Sequence, residues 1–213
     1  MRVLELFSGT GSVGKCCDAL GYDVVSVDLL FNATHKCDIM EFDYKQYPRN
    51  HFDIIWASPP CTNYSKLQDC WLGRERKGQI YTKEIQEQEM DNDDKLVLKA
   101  LEIIEYFNPE LWFIENPAGS RMKERTFMKP LPFYIIDYCR YSDWGYKKRT
   151  RIWTNKKDWD AKTCNRKCGN MIDGMHKTNL GNTRARYKTG GKHVVQSQAY
   201  RIPENLIYSL FLE

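Results

Sequence analysis

Arg2-Val3-Leu4-Glu5-Leu6-Phe7, followed by Ser8-Gly9-Thr10-Gly11-Ser12-Val13-Gly14, is the stretch whose reading decides the fold. An apolar run of β type enters a tight glycine turn, and Lys15 to Leu20 continues as a helix that Gly21 closes. Asp23 to Val27 then reads as a second strand ending at Asp28. Strand, glycine loop, helix, strand is a βαβ unit, which implies a mostly parallel sheet whose ligands lie beyond the carboxyl ends of the strands.

Working outward, Asp38-Ile39-Met40 is read as a third short strand. Phe52-Asp53-Ile54-Ile55-Trp56 is the next, and it runs into Ala57-Ser58-Pro59-Pro60-Cys61-Thr62-Asn63-Tyr64-Ser65. Two prolines fix the backbone direction there and deliver Cys61 to the rim of the sheet. Residues 66–92 are polar and weakly periodic, and are expected to form a long loop acting as a lid. Asp93 to Phe107 has apolar positions at helical spacing, and Asn108-Pro109 stops it. Leu111 to Ile114 is a buried strand ending at Glu115-Asn116-Pro117. Phe133 to Tyr138 and Thr150 to Thr154 are two more strands around the basic turn Lys147-Lys148-Arg149. A closing amphipathic helix spans Ile202 to Leu212, with Pro203 in its first turn.

The 213 residues suit one α/β domain with a small appendage. The opening run reads as a strand and no apolar segment nears the ~20 residues that span a bilayer, so a soluble cytoplasmic protein is expected. The eight cysteines form no repeated framework and suit reduced thiols. The net charge of +4 conceals an asymmetry: residues 1–119 carry 12 Lys/Arg against 20 Asp/Glu, residues 120–201 carry 20 against 6. That basic excess, interleaved with Tyr138, Trp144, Tyr146, Trp153 and Tyr187, favours a polyanion-binding surface over a plain solvated face.

Gly9, Gly14 and Lys15 meet the spacing of a phosphate-binding loop, but Cys16 stands where Ser or Thr is required. A carboxylate closing the second strand can accept both hydroxyl protons of a ribose, and Asp28 occupies that place. Loop and Asp28 together indicate an adenosine-type cofactor, with nicotinamide, flavin and S-adenosylmethionine all open. A thiolate is the best side-chain nucleophile near neutral pH. With a carboxyl group on an adjacent strand end, such as Glu115, it can add to C6 of a cytosine while N3 is neutralised, which activates C5 toward a methyl group. The plain alternative is a buried structural cysteine and an N-capping glutamate.

These motifs resemble the cytosine-C5 DNA methyltransferase family over nearly the whole chain. Leu4 to Ser12 is similar to the family's first cofactor motif, Ser58-Pro59-Pro60-Cys61 to its nucleophile motif, and Phe113-Ile114-Glu115-Asn116-Pro117 to its Glu-Asn-Val motif. Gly145…Arg149-Thr150-Arg151-Ile152-Trp153 resembles its arginine motif. The resemblance implies a Rossmann-like S-adenosylmethionine-dependent methyltransferase fold, a mostly parallel twisted sheet with helices on both faces. It implies S-adenosylmethionine held by Phe7, Ser8, Gly9, Thr10, Gly11, Ser12, Asp28, Leu29, Asp38, Ile39 and Pro59. It assigns catalysis to Cys61, Glu115, Arg149 and Arg151, acting on a flipped cytosine in DNA, with RNA or a free cytosine nucleotide as rival substrates. A nucleic-acid-binding module without activity is the rival of another class.

Two departures bear on organisation. Only Asn155 to Gln196 stands where the family inserts a target-recognition domain, which divides the chain into a catalytic domain (1–154), a small basic recognition-like region (155–196) and a returning C-terminal segment (197–213). Tyr200 takes the place of an asparagine in a closing motif that is matched loosely. Cys164-x3-Cys168 with His176 or His193 has zinc-ligand chemistry. Its spacing is looser than a usual pair, so ordinary surface residues and no metal are expected. DNA, with RNA possible, is the expected partner; no membrane is, and a monomer is the default. A compact enzyme of this kind would suit a viral genome, in which case it would work beside the DNA of the host cell.

Overall fold

The computed structural model describes residues 1–178 and 196–212. In chain order the main elements are β1 (Arg2–Leu6), α1 (Ser12–Ala19), β2 (Asp23–Val27), β3 (Ile54–Ala57), β4 (Glu75–Arg76), β5 (Gln79–Ile80) and α2 (Lys83–Phe107). There follow β6 (Leu111–Pro117), β7 (Phe133–Asp137), β8 (Arg149–Thr154), β9 (Met171–Ile172), β10 (Met175–His176), α3 (Gln196–Ala199) and α4 (Glu204–Leu212). Six strands make one sheet in the order β2-β1-β3-β6-β8-β7. The first four are parallel, and β8 runs antiparallel to both of its neighbours.

Period-two alternation sorts the strand residues between two cores. Leu4, Leu6, Ile55, Ala57 and Ile114 face α2, against Val97, Ala100, Ile103 and Phe107. Val3, Ile54, Trp56 and Phe113 face the other way, against Val13, Cys16 and Cys17 of α1 and Leu206, Ile207 and Leu210 of α4. Helices therefore cover both faces, as expected. Each fully buried aliphatic or aromatic side chain here contributes about 1.5–3 kcal/mol.

Register aligns the strand ends. Leu6 pairs with Val27 and with Ala57, and Ala57 with Ile114. β6 runs on to Pro117, so Glu115 stands one residue past the end of β3. The turn after β1, the turn after β2, the Pro-Pro-Cys segment and Glu115 thus meet at one edge of the sheet.

Several boundaries differ from expectation, the first helix among them, which begins at Ser12 rather than Lys15. Asp38-Ile39-Met40 is a turn and not a strand: Asp38 Oδ1 accepts from Met40 N and the Asp38 carbonyl from Glu41 N, which curls the chain while Ile39 drops into the core. Helix α2 begins ten residues early, at Lys83, because the Thr82 hydroxyl caps it by accepting from Ile85 N at 3.3 Å. The final helix begins at Glu204 rather than Ile202, with the Pro203 carbonyl accepting from Leu206 N and Ile207 N. Residues 66–82 are not one open loop. A 3-10 turn (Lys66–Trp71) and the β4–β5 hairpin are tied to α2 through Arg76–Glu89 at 2.8 Å and Gln86–Asp69 at 3.1 Å.

Candidate active site

Glu5 on β1 organises the glycine turn from beneath. Gly11 starts α1 with a left-handed backbone (φ 66°) and offers no side-chain cap. The buried Glu5 carboxylate takes that role, accepting from Val13 N at 3.2 Å and Gly14 N at 3.1 Å, two of the unpaired donors at the helix start. Burial drives its pKa up to about 7 against the lowering effect of those bonds. Phe7, just above, has φ 57°, a conformation that bulky side chains seldom adopt and that marks a strained turn at the strand end.

A cavity of about 500 Å³ opens at this edge, within the usual size of a small-molecule site. Phe7, Gly9, Asp28, Leu29 and Pro59 line one part of it; Cys61, Glu115 and Lys148 line another, with Tyr200 at the rim. Asp28 Oδ2 accepts from Gly9 N at 2.8 Å, and Oδ1 accepts from Leu30 N and Phe31 N. Three of roughly four acceptor positions are thereby used, leaving about one for a ligand hydroxyl. Leu29, Leu30 and Phe31 are exposed apolar side chains beside it. Next to Gly9, the buried Ser8 hydroxyl has no hydrogen-bond partner among the described residues. An acceptor at a strand end and apolar walls fit an adenosine-bearing ligand.

The sulfur end is held by its neighbours. Trp56 Nε1 donates to Ser58 Oγ at 2.9 Å, and Asn116 Nδ2 donates to the Pro59 carbonyl at 3.0 Å, which locks the turn preceding Cys61 against β6. Burial pushes the Cys61 thiol above its ordinary pKa, the Glu115 carboxylate adds to that, and the Lys148 ammonium opposes both. Glu115 Oε1 accepts from the buried Tyr138 hydroxyl at 3.0 Å and lies 3.4 Å from Lys148 Nζ. The ammonium also sits 4.7 Å from the Tyr138 ring centroid and donates to the Ala199 carbonyl. These contacts all fall on Oε1, which leaves Oε2 for a ligand.

Not every expected site residue enters this cavity. Thr10 and Ser12 line a separate space of about 260 Å³ with Arg201, and Ser12 Oγ accepts from Ile202 N, tying the closing segment to the turn. Gly11 and Ser8 close the turn on themselves through Gly11 N to the Ser8 carbonyl. Asp38 and Ile39 lie outside the lining. Arg149 is paired with the buried Asp137 (Nε to Oδ1 3.1 Å, Nη2 to Oδ2 3.0 Å), and Arg151 stacks on Phe133 at 3.8 Å. Lys148 stands where an arginine was expected. The signal for it was present in the sequence: Ile152 packs on the face of Phe113 and Glu115, Trp153 on the opposite one, so alternation puts Thr150 and Lys148 with Glu115, and Arg149 and Arg151 behind.

The cysteines expected at the surface are buried instead: Cys164 and Cys168 are 8% and 7% exposed and pack with Cys139. They are carried inward because Cys164 N donates to the buried Asp137 carboxylate at 2.7 Å. His176 lies beside them, whereas His193 and Tyr187 fall outside the described residues.

Residues 1–129 match the model of the family described as C-5 cytosine-specific DNA methylase. The chain is 39% identical over 219 residues to a protein of Frog virus 3 (isolate Goorha) named probable DNA (cytosine-5)-methyltransferase, covering 99% of this chain and 98% of that one. It is 25% identical over 137 residues to the type II methyltransferase M.AplI of Arthrospira platensis, covering 61% of this chain and 35% of that protein. Among solved structures, a DNA modification methyltransferase encoded within an E. coli prophage aligns with a TM-score of 0.49 and 14% identity, over 72% of this chain and 46% of that one. The S. pombe Dnmt2 methyltransferase aligns at 0.44 and 15%, over 75% and 51%. The chain thus spans about half the length of these two solved proteins. Among the described residues, no helix is long and apolar enough to cross a membrane.

Proposed function

Since the chain belongs to the C-5 cytosine-specific DNA methylase family, we propose that the cavity at the carboxyl edge of its sheet is where the cytosine is methylated, with Cys61, Glu115 and Lys148 as the working groups. The reaction is transfer of a methyl group from S-adenosylmethionine to C5 of cytosine in DNA. The observation that carries the residue assignment is the convergence in one cavity of a fixed cysteine, a half-satisfied carboxylate, a lysine and the β1–β2 turns.

S-adenosylmethionine, when bound, supplies a methyl group made electrophilic by its sulfonium. Phe7, Leu29 and Pro59 would flank it, with Asp28 accepting from a ribose hydroxyl. A cytosine inside a duplex is out of reach of Cys61, so the base must be flipped into the cavity. Cys61 sulfur forms a bond to C6, and the displaced electron pair moves through the ring to N3, which takes the proton that Glu115 carries on Oε2. As C5 takes the methyl, that pair returns from N3 to the ring and the proton goes back to Glu115. Lys148 favours the thiolate that attacks and steadies Glu115. After C5 has taken the methyl, a base removes the C5 proton, the electron pair returns to the ring, and Cys61 leaves as thiolate. Arg149 and Arg151 support from behind: Arg149 anchors the start of β8 on Asp137, Arg151 braces its middle on Phe133. The basic region 155–196 is the proposed face toward nucleic acid, with a single chain as the acting unit.

The test is transfer of labelled methyl from S-adenosylmethionine to mixed-sequence duplex DNA, transfer RNA and free dCTP in parallel, followed by digestion and mass analysis. 5-Methylcytosine in DNA, absent with C61A, supports the assignment. Label confined to RNA or dCTP would overturn the substrate, and undiminished label with C61A would overturn the nucleophile.

A further inference from the structure

We propose that Cys139, Cys164, Cys168 and His176 form a structural zinc site that clips the basic segment to the edge of the sheet. Their four ligand atoms lie within 4.8 Å of one another. Cys164 Sγ is 3.6 Å from Cys168 Sγ, and His176 Nε2 is 3.6 Å from Cys164 Sγ and 3.4 Å from Cys168 Sγ. A tetrahedron with Zn–S of about 2.3 Å and Zn–N of about 2.0–2.1 Å has S···S edges of about 3.8 Å and S···N edges of about 3.5 Å. The separations match those edges and are far too long for a disulfide, whose sulfurs stand about 2.05 Å apart. Three sulfurs and one imidazole are the donor set of a closed, four-coordinate zinc site.

The surroundings are those of a built site. Three of the four ligands are buried and His176 is half-buried. Arg166 N donates to Cys164 Sγ at 3.3 Å, a bond that favours a thiolate. Asn170 fixes the two halves against each other: its Nδ2 donates to the Cys139 and Ser142 carbonyls, and its Oδ1 accepts from Gly145 N. Cys139 comes from the 3-10 turn after β7, and the other three ligands come from 164–176, ending on the β9–β10 hairpin. The metal would join the turn after β7 to residues 164–176 and hold them beside Asp137, which anchors both Arg149 and Cys164 N. On binding, each thiol gives its proton to solvent and the imidazole binds neutral. None of this depends on the methyl-transfer reading.

The full chain, expressed with zinc and purified without chelator, is analysed for metal. About one zinc per chain is expected, retained by C70S, which alters an exposed cysteine away from the site, and lost from C164S and C168S. Because such variants can fail to fold, two further measurements stand beside them. Chelator-stripped wild type titrated with cobalt(II) should develop thiolate-to-cobalt charge transfer and tetrahedral d–d bands at one equivalent. H176C, which keeps four donors, should hold zinc where H176A binds it at least about 10-fold more weakly. Wild type free of zinc with no tetrahedral cobalt spectrum would overturn the proposal. So would iron in place of zinc, or an unchanged cobalt spectrum in C139S and C168S.

Discussion

Cys61 is fixed by the hydrogen bonds of Ser58 and Pro59, yet burial and Glu115 both oppose its ionisation, so the Lys148 ammonium that favours it matters. Removing that charge in K148M should raise the thiol pKa further. Methyl transfer at pH 7 is expected to fall about 10–100-fold, one to two pKa units' worth, with activity recovering as pH rises and K148R restoring part of it. A pH–rate profile unchanged in K148M would remove Lys148 from the site. Glu5 gives a second pH signature, in stability. Its native pKa of about 7 lies above the 4.5 of the free side chain, so the folded state holds the proton more tightly. The contribution is full below about pH 4.5 and is lost as pH rises through about 7, about 3 kcal/mol in all. In urea denaturation, wild type should lose about that much relative to E5Q between pH 5 and pH 8. A difference that stays constant with pH would contradict the buried carboxylate.

At the scale of elements, the six strands of the main sheet were legible because their apolar runs end at turn residues, whereas Asp38-Ile39-Met40, read as a strand, is a turn; the glycine turn with Asp28 defined the βαβ unit. Helix α2 was read short: its first turns carry Gln86, Glu87 and Glu89, whose partners Asp69, Arg125 and Arg76 come from elsewhere in the chain. Polar residues that pair across space leave no local periodicity. Thr82 opens that helix, so T82A should cost about 1 kcal/mol in chemical denaturation. A loss below a few tenths would mean the first turns are held by the ion pairs alone. β8 shows the reverse. The motif was recognised, but its arginines were assigned to the cavity by resemblance, when Ile152 and Trp153 already marked which face each residue takes.

Across the whole molecule, the two cores and the alignment of four strand ends follow from the sequence pattern, and so does the meeting of Cys61 with Glu115. The thiol and imidazole cluster did not, since Cys139 lies 25 residues before Cys164 and no spacing rule joins them. The excess of Lys and Arg over Asp and Glu in residues 120–201 predicts binding to duplex DNA that weakens steeply with salt. Affinity that is flat between 50 mM and 200 mM salt would contradict a phosphate-directed face.

The central claim is that Cys61 bonds to C6 of the cytosine it helps to methylate. A duplex carrying 5-fluorocytosine tests it most directly, because fluorine at C5 cannot leave as a proton does and the adduct cannot resolve. With S-adenosylmethionine present, intact mass should show one chain joined to one methylated strand, and peptide mapping should place the bond on Cys61. A bond at another cysteine, or 5-methylcytosine made by C61A on ordinary DNA, would contradict it.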